Sequence, residues 1–159
     1  MPILPKLQEL LDLSGVSYTH TVHPLAYTAR EVARAEHVPP QEMAKVVIVV
    51  VDGEYKMVVL PASRLVDFPE VRTVLGSPTA RLATEEELGR VFPDCELGAM
   101  PPFGNLYHMK VLLDSALLAD ERIAFNAGTH RDVVHMRLDD YCRMAQPEVL
   151  SLAREPVAR

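Results

Sequence analysis

The reactive side chains of this sequence do not form a recognised nucleophile or metal pattern. Cys95 and Cys142 lie far apart and belong to no CxxC pair, so we predict neither a zinc cage nor a disulfide framework and interpret both as buried small hydrophobic residues. His20 and His23 fall three apart on a predicted strand, so they point to opposite faces and cannot ligate one metal. The sequence also lacks the G-x-S-x-G motif of a serine nucleophile. We therefore expect no metal and no cofactor.

Lys45 stands at the start of a run of valines, where a strand would hold its side chain in place. The run 46–51 is followed by Asp52-Gly53 and a second β-forming run, which predicts a hairpin with a two-residue type I′ turn because both turn residues need positive φ. In this register Lys45 lies opposite Leu60, and one face of the hairpin is almost wholly apolar. The other face carries charged residues at its ends: Lys45, Lys56 and Glu54. We expect Lys45 at the edge of the sheet, on this more polar face.

Two glycine-containing loops are the other candidates for a site. Residues 98–104, Gly-Ala-Met-Pro-Pro-Phe-Gly, form a loop that is bounded by glycine and stiffened by proline, and by itself this pattern is equally typical of a stiff turn. A second loop, Gly-Thr-His-Arg-Asp at 128–132, contains His130, where a surface histidine is unremarkable. Neither loop identifies a chemistry without further evidence.

The remaining segments supply the elements that must position Lys45 and the two loops. Apolar spacing, capping boxes at Thr28 and Thr84 and closing glycines predict helices over residues 4–14, 28–36, 67–75, 84–91 and 138–145. Short β-forming runs predict strands over residues 17–23, 80–83, 111–114, 122–126 and 133–137. Because strands outnumber long helices and connections are short, we expect an α/β fold of the α+β type, with a mixed, largely antiparallel sheet curled towards a barrel and surrounded by helices.

Composition limits the class of protein. A chain of 159 residues with 48% hydrophobic and 24% charged residues is typical of one compact domain, here residues 1–159. No run approaches the roughly 20 apolar residues of a membrane helix, and the N-terminus lacks the pattern of a secretion signal. We expect a cytoplasmic protein without a membrane partner. The formal net charge of −6 argues against broad, non-specific wrapping of nucleic acid, but it permits a local basic patch.

Five motifs in a fixed order resemble a known family. They are Thr28-Ala-Arg-Glu31, Lys45, Val58-Val-Leu-Pro-Ala62, Gly98-x-x-Pro-Pro-Phe-Gly104 and Ala127-Gly-Thr129. From about residue 18 to residue 145, the chain resembles the YbaK/EbsC family, also called the prolyl-tRNA-synthetase-associated domain. The resemblance implies a mixed α/β fold with a barrel-like sheet. It also implies a stand-alone aminoacyl-tRNA deacylase that hydrolyses mischarged tRNA, often tRNA-Pro carrying Ala or Cys.

The resemblance assigns residues as well. It implies that Lys45 is essential, that the loop 98–104 lines the aminoacyl pocket, and that His130 matches a histidine of some alanine-clearing members. Val46 departs from the pattern, since an Asn tends to follow the lysine there, and this leaves the substrate amino acid open. The predicted catalytic residues are Lys45, Gly98 and His130. The predicted substrate-binding residues are Thr28, Ala62, Ser63, Met100, Pro101, Pro102, Phe103, Gly104, Gly128 and Thr129.

An aminoacyl ester is already activated, so its hydrolysis needs few catalytic groups from the protein. The reaction requires an oriented water, or the ribose hydroxyl next to the ester, together with stabilisation of the tetrahedral oxyanion, but no covalent nucleophile. Lys45 can place a positive charge near the carbonyl oxygen or the terminal phosphate. Backbone N–H groups around Gly98, Phe103 and Gly104 can donate to the oxyanion. Met43 is a further candidate for the pocket wall, since steric rejection rather than attraction must set specificity.

The expected partner is the CCA end of an aminoacyl-tRNA, and an aminoacyl-tRNA synthetase is a second candidate partner. Stacking and phosphate contacts would hold the CCA end near one or more of four arginines: Arg30, Arg34, Arg64 and Arg131. Two alternatives stay open. The chain could be a non-catalytic tRNA-binding or synthetase-binding module of the same fold, or a hydrolase of a small ester or thioester.

Overall fold

The computed structural model describes residues 3–156. Its helices are α1 Pro5–Ser14, α2 Ala29–Ala35, α3 Phe68–Val74, α4 Glu85–Val91 and α5 Leu138–Ala145, with 3-10 turns at Gly104–Tyr107 and Ser115–Ala119. Its strands are β1 Tyr18–Val22, β2 Ala44–Val51, β3 Glu54–Pro61, β4 Leu65–Val66, β5 Arg81–Leu82, β6 Lys110–Asp114, β7 Arg122–Asn126, β8 Asp132–Arg137, β9 Glu148–Leu150 and β10 Ala153–Arg154. Every helix and strand predicted from the sequence is present, with no end shifted by more than one residue.

The strands form a curved, mixed sheet system. A five-stranded sheet has the order β5-β2-β3-β6-β9, and a three-stranded sheet has the order β1-β8-β7. A parallel bridge between Met43 and Ala124 joins the two sheets, and the Ala124 N–H donates to the Glu42 carbonyl at 3.2 Å. Pairing is antiparallel except between β3 and β6 and between β6 and β9. This confirms the predicted α+β architecture with a barrel-like sheet.

The β2–β3 hairpin has the predicted register. Val51 pairs with Glu54, and Lys45 pairs with Leu60. Both turn residues have positive φ, 50° at Asp52 and 83° at Gly53, as a type I′ turn requires. The turn chemistry therefore fixes where the Lys45 side chain leaves the strand.

The face of the hairpin that carries Lys45 has the predicted charged ends and a buried middle. Its middle is as apolar as the opposite face, because Val49, Val58 and Leu60 are fully buried in a cluster with Val71 of α3 and with Leu152. Only the ends of this face are polar. The layer of α3 and the C-terminal strands that covers the middle of this face was not predicted, because a run of valines does not reveal which elements cover it.

The C-terminal segment was not predicted to pair. Strand β10 pairs with β4, joining Ala153 to Val66 and Arg154 to Leu65. The buried Asp114 carboxylate anchors this segment, since its Oδ1 accepts the N–H groups of Leu152 at 2.9 Å and Ala153 at 3.0 Å. Within residues 3–156, no helix has the length and apolar character needed to cross a bilayer.

The two cysteines are less buried than predicted. Both are free and half-buried. The Cys95 Sγ lies 3.1 Å from the Tyr107 hydroxyl, and burial raises the pKa of this thiol to about 11. A thiol with a raised pKa is a poor nucleophile at neutral pH, which agrees with a structural interpretation of Cys95.

Candidate active site

Lys45 lies in a cavity of about 250 Å³ at the end of the hairpin. The cavity is lined by the start of α2, the turn after β3 and the C-terminal segment: Thr28, Ala29, Arg30, Lys45, Ala62, Arg64, Leu65 and Pro156. Two of the predicted substrate-binding residues, Thr28 and Ala62, therefore share this cavity with Lys45. The capping box at Thr28 sets the start of α2, since its hydroxyl accepts the Glu31 N–H at 3.1 Å.

The environment of Lys45 disfavours its charged form. Burial lowers the pKa of the Lys45 amine, and the nearby positive charge of Arg30 lowers it further. Among the ion pairs of residues 3–156, none involves Lys45. A half-buried ammonium group of this kind interacts strongly with an anion that enters the cavity, because screening by water is reduced there.

Two arginines bring further positive charge to the cavity. The Arg30 Nη2 donates to the Ser63 carbonyl at 3.2 Å, so the predicted residue Ser63 orients Arg30 through its backbone. The Arg64 Nη2 lies 3.0 Å from the Glu155 Oε1. The Arg64 Nε is buried and has no hydrogen-bond partner among the described residues. The cavity thus holds three cations and one nearby carboxylate.

A second group of predicted residues surrounds His130. The His130 Nε2 lies 2.6 Å from the Leu97 carbonyl, so this nitrogen carries the proton and donates it. The His130 backbone N–H donates to the Glu96 Oε1 at 2.9 Å. A side chain at Gly98 would place its Cβ 3.6 Å from the His130 ring, and Gly98 has a φ of 84°. His130 therefore fixes the turn that contains Gly98.

The two loops are held together by paired backbone groups. The Glu96 N–H donates to the Gly128 carbonyl at 2.8 Å, and the Gly128 N–H donates to the Ala99 carbonyl at 2.9 Å. The Thr129 hydroxyl donates to the Asp132 Oδ2 at 2.6 Å. Glycine is required at position 128, where φ is 101° and a Cβ would lie 3.1 Å from the Leu4 Cβ. Gly128 and Thr129 thus stabilise the conformation of the His130 loop through its own backbone and side-chain hydrogen bonds.

Most of the loop 98–104 belongs to the hydrophobic core. Met100 and Phe103 are buried against the inner face of the hairpin, and the Tyr141 hydroxyl donates to the Pro102 carbonyl at 2.6 Å. The Phe103 N–H already donates to the Pro101 carbonyl at 2.9 Å. Gly104 is packed so closely that a Cβ would lie 2.5 Å from the Met109 carbonyl oxygen.

The buried residues of the loop 98–104 pack on one side of β2, and Lys45 leaves the strand on the other side. Lys45 leaves β2 on the face opposite Ala44, whereas the loop packs on the face of Ala44. Among the described residues lining the Lys45 cavity, none comes from 98–104, and Met43 is fully buried beneath α2. The N–H group of Phe103 is not available as an oxyanion donor, because it is already bonded. The role of 98–104 in an aminoacyl pocket stays a prediction.

Tyr27 joins the two groups and was missed by the sequence analysis. Its ring lies against His130, with centroids 5.1 Å apart, and the next residue is Thr28 of the Lys45 cavity. Tyr27 is 64% exposed. Glu96, Glu155 and Pro156 were also missed, and no motif or periodicity marks any of them. Within residues 3–156, no three His, Cys, Asp or Glu side chains are placed to hold a metal ion.

Comparison with known sequences identifies the class of protein to which this fold and these sites belong. A profile of the aminoacyl-tRNA editing domain family matches residues 23–144. The chain therefore belongs to this family, and the predicted class, an aminoacyl-tRNA deacylase, is confirmed.

Particular relatives span most of the chain. It is 29% identical over 154 residues to the multifunctional Ser/Thr-tRNA deacylase ProXp-y of Escherichia coli (strain K12), which covers 94% of this chain and 92% of that protein. It is 32% identical over 92 residues to the proline--tRNA ligase of Geobacillus thermodenitrificans, covering 58% of this chain but 16% of the ligase.

Solved structures share the fold. A candidate trans-editing enzyme for prolyl tRNA synthetase superposes with a TM-score of 0.83 and 21% identity, covering 97% of this chain and 98% of the other. The hypothetical protein APE2540 superposes with a TM-score of 0.84 and 19% identity, covering 94% of this chain and 99% of the other. At these identities the likeness establishes the architecture only.

Proposed function

We propose that this protein hydrolyses the ester bond of mischarged tRNA in trans, with Ala or Cys on tRNA-Pro as the expected substrates. The observation that carries the proposal is the half-buried Lys45 ammonium group in a small cavity with Arg30 and Arg64. A second candidate substrate is tRNA carrying Ser or Thr, because the Escherichia coli relative is named as a Ser/Thr-tRNA deacylase. The cytoplasm, where tRNA is charged and used, is the expected location.

Lys45 would act on the ester carbonyl. As water attacks, negative charge develops on the carbonyl oxygen, and a positive charge already held in a partly dry cavity stabilises it without reorganisation. The proton of the attacking group passes to solvent or to the leaving ribose oxygen. Removal of one such stabilising contact typically costs about 10²- to 10³-fold in kcat.

His130 and Gly98 would act less directly than predicted. Since the His130 Nε2 donates to the Leu97 carbonyl, the imidazole holds the turn before Gly98 and does not have that proton available for transfer. We assign His130 to positioning. Its Nδ1 is buried and has no hydrogen-bond partner among the described residues, and the Tyr27 ring lies against the imidazole. The CCA end would reach the cavity across Tyr27, whose exposed ring suits stacking of a base.

One observation favours the non-catalytic alternative. No residue of the loop 98–104 is among those that line the Lys45 cavity, and the Phe103 N–H, an expected oxyanion donor, is already bonded to the Pro101 carbonyl. A binding module of the same fold would retain the cations and the exposed Tyr27 ring without hydrolysing the ester. This alternative makes a different prediction for the experiment that follows.

A deacylation panel tests the proposal. tRNA-Pro charged with Ala, Cys or Pro, and tRNAs charged with Ser or Thr, are incubated with the wild-type protein, Lys45→Ala and Lys56→Ala. Lys56 is the matched control, because it lies at the other end of the same strand pair, beside Glu54 at 3.5 Å. We expect hydrolysis of the small mischarged residues, loss in Lys45→Ala and retention in Lys56→Ala. If no substrate is cleared above the buffer rate while tRNA still binds, the binding module is correct.

A further inference from the structure

We propose that Arg64 and Arg30 form a phosphate subsite beside Lys45, and that Glu155 occupies it as a built-in counter-anion until the phosphate displaces it. The inference rests on the proposed function. It names the group of the tRNA that the cavity recognises, which is the phosphodiester on the 5′ side of the terminal adenosine. That phosphate is the nearest anion to the ester on the substrate.

The charge at the cavity contrasts with the rest of the chain. The chain has a formal net charge of −6, yet Lys45, Arg30 and Arg64 line one cavity of about 250 Å³. The neighbouring Glu31 carboxylate is bound to the start of α2, because its Oε1 accepts the Thr28 N–H at 3.1 Å. Of these three cations, Arg64 alone forms an ion pair within residues 3–156, and its partner is Glu155. The cavity keeps an excess of positive charge that suits an anion.

The Arg64 guanidinium has donors that Glu155 does not use. Its Nη2 contacts the Glu155 Oε1 at 3.0 Å, whereas its Nε is buried and lacks a partner among the described residues. A guanidinium presents its donors in a planar fork that fits two oxygens of one phosphate. A phosphate can therefore satisfy both nitrogens where the carboxylate satisfies one.

Glu155 is placed so that it can leave. Strand β10 ends at Arg154, so Glu155 follows the last residue that pairs with β4. The Glu155 side chain is 70% exposed and that of Arg64 is 29% exposed. Exposed ion pairs contribute little to stability. Displacement of Glu155 thus breaks one weak contact and leaves the strand pairs and the Asp114 anchor intact.

Binding of uncharged tRNA-Pro tests the subsite without any hydrolysis. Dissociation constants are measured across a series of salt concentrations for the wild type, Arg64→Gln, Glu155→Gln and the double variant. Two variants that each break a surface ion pair elsewhere are matched controls: Arg143→Gln, whose partner is Asp140, and Glu148→Gln, whose partner is Lys110. The same tRNA without its CCA end reports contacts outside the subsite.

The expected results separate the subsite from general electrostatics. Arg64→Gln weakens binding of intact tRNA about tenfold and makes the slope of log K against log salt shallower by about 0.7, the value for one phosphate contact on a single strand. Glu155→Gln tightens binding about threefold at low salt, and this gain disappears when Arg64 is also replaced. Arg64→Lys keeps the wild-type salt slope, because the positive charge remains. It binds tRNA more weakly than wild type, because lysine lacks the planar pair of donors of the guanidinium group.

Two outcomes would overturn the inference. One is an unchanged salt slope in a folded Arg64→Gln protein. The other is an increase in tRNA affinity in Glu155→Gln that is no larger than the increase in Glu148→Gln, or that is also seen with the tRNA that lacks its CCA end. Absence of deacylation alongside the expected binding results would instead reject the proposed function and leave the subsite standing.

Discussion

The Tyr27 ring lies against the His130 imidazole, with centroids 5.1 Å apart and an angle of 57° between the ring planes. His130 is 7% exposed beneath it, whereas Tyr27 keeps 64% of its surface open to solvent. One side of the tyrosine ring therefore covers the His130 loop, and the rest can meet a ligand. Because Thr28 follows directly and lines the Lys45 cavity, a ligand that stacks on Tyr27 is led towards Lys45.

Replacement of Tyr27 tests this path. Tyr27→Ala should raise KM for aminoacyl-tRNA about tenfold, since stacking of a base on an aromatic ring is worth roughly 1–3 kcal/mol. Tyr27→Phe retains the ring and should stay within about twofold of wild type in KM. Steady-state deacylation kinetics measure both. Equal KM values for the Ala and Phe variants would show that no base stacks there.

Glu96 is expected to position the His130 loop. Its carboxylate accepts the His130 N–H at 2.9 Å, so Glu96→Ala should lower kcat about fivefold, the equivalent of one hydrogen bond, with KM little changed. Glu96→Gln keeps an acceptor oxygen and should recover most of the rate. In a His130→Ala background, Glu96→Ala should add nothing. An additive loss in that background would mean that Glu96 acts independently of His130.

The sequence predicted the secondary structure well where the conformation of a segment depends mainly on its own residues. The Asp52-Gly53 turn fixed the hairpin register, and the capping boxes at Thr28 and Thr84 placed two helix starts. Strand β10 could not be predicted, because its segment is held by distant residues, by β4 through strand pairing and by the Asp114 carboxylate through backbone N–H groups. Contacts of this kind depend on residues far apart in sequence and leave no local pattern.

The candidate site was predictable only in part, for a similar reason. The motifs indicated Lys45 and His130, and strand alternation correctly gave the direction in which Lys45 leaves β2. The sequence could not show that Arg64 and Pro156 meet at the same cavity, since β4 and the C-terminal segment come together only in the folded chain. Motif order also suggested one pocket, whereas the structure holds two groups that Tyr27 connects.

Lys45 should titrate at lower pH than the exposed lysines. Burial and the Arg30 charge both lower its pKa, so the ammonium form is complete at low pH and is lost, as pH rises, before that of an exposed lysine. Hydrolysis that depends on the ammonium group should fall over the same range. Arg30→Gln should raise the Lys45 pKa, and burial should still keep it below the usual value.

NMR of lysine labelled with ¹³C at the ε position can measure this titration without any substrate. Arg34→Gln is the matched control, because Arg34 lies one turn further along α2. It should leave the Lys45 titration close to wild type. Equal effects of the two arginine variants would contradict the assigned role of Arg30.

Asp114 should contribute strongly to stability. The residue is 1% exposed, and its carboxylate accepts three backbone N–H groups, from Ala116, Leu152 and Ala153. Asp114→Ala leaves these donors without their acceptor, so the free energy of unfolding should fall by about 3 kcal/mol. Replacement of the exposed Asp139 by Ala should cost at most about 1 kcal/mol. Urea denaturation compares the two, and similar midpoints would refute the anchoring role.

Gly53 and Gly89 should respond to the same substitution with opposite sign. A Cβ at either position meets no atom within 4 Å, so only the backbone conformation distinguishes them. Gly53 has a φ of 83°, and Gly53→Ala should lower the free energy of unfolding by about 1 kcal/mol. Gly89 lies within α4, where alanine is the better helix former, so Gly89→Ala should raise it by about 0.5–1 kcal/mol.

Thermal and urea denaturation of the two glycine variants measure this difference, and deacylation controls for the active site. Both variants should retain wild-type activity, because neither glycine lines the Lys45 cavity. A stabilised Gly53→Ala protein would show that the turn adopts a different type in solution. In that case the turn would not be what sets the pairing of Lys45 with Leu60. Another interaction would then have to determine the strand register and, through it, the side of β2 from which the Lys45 ammonium group projects.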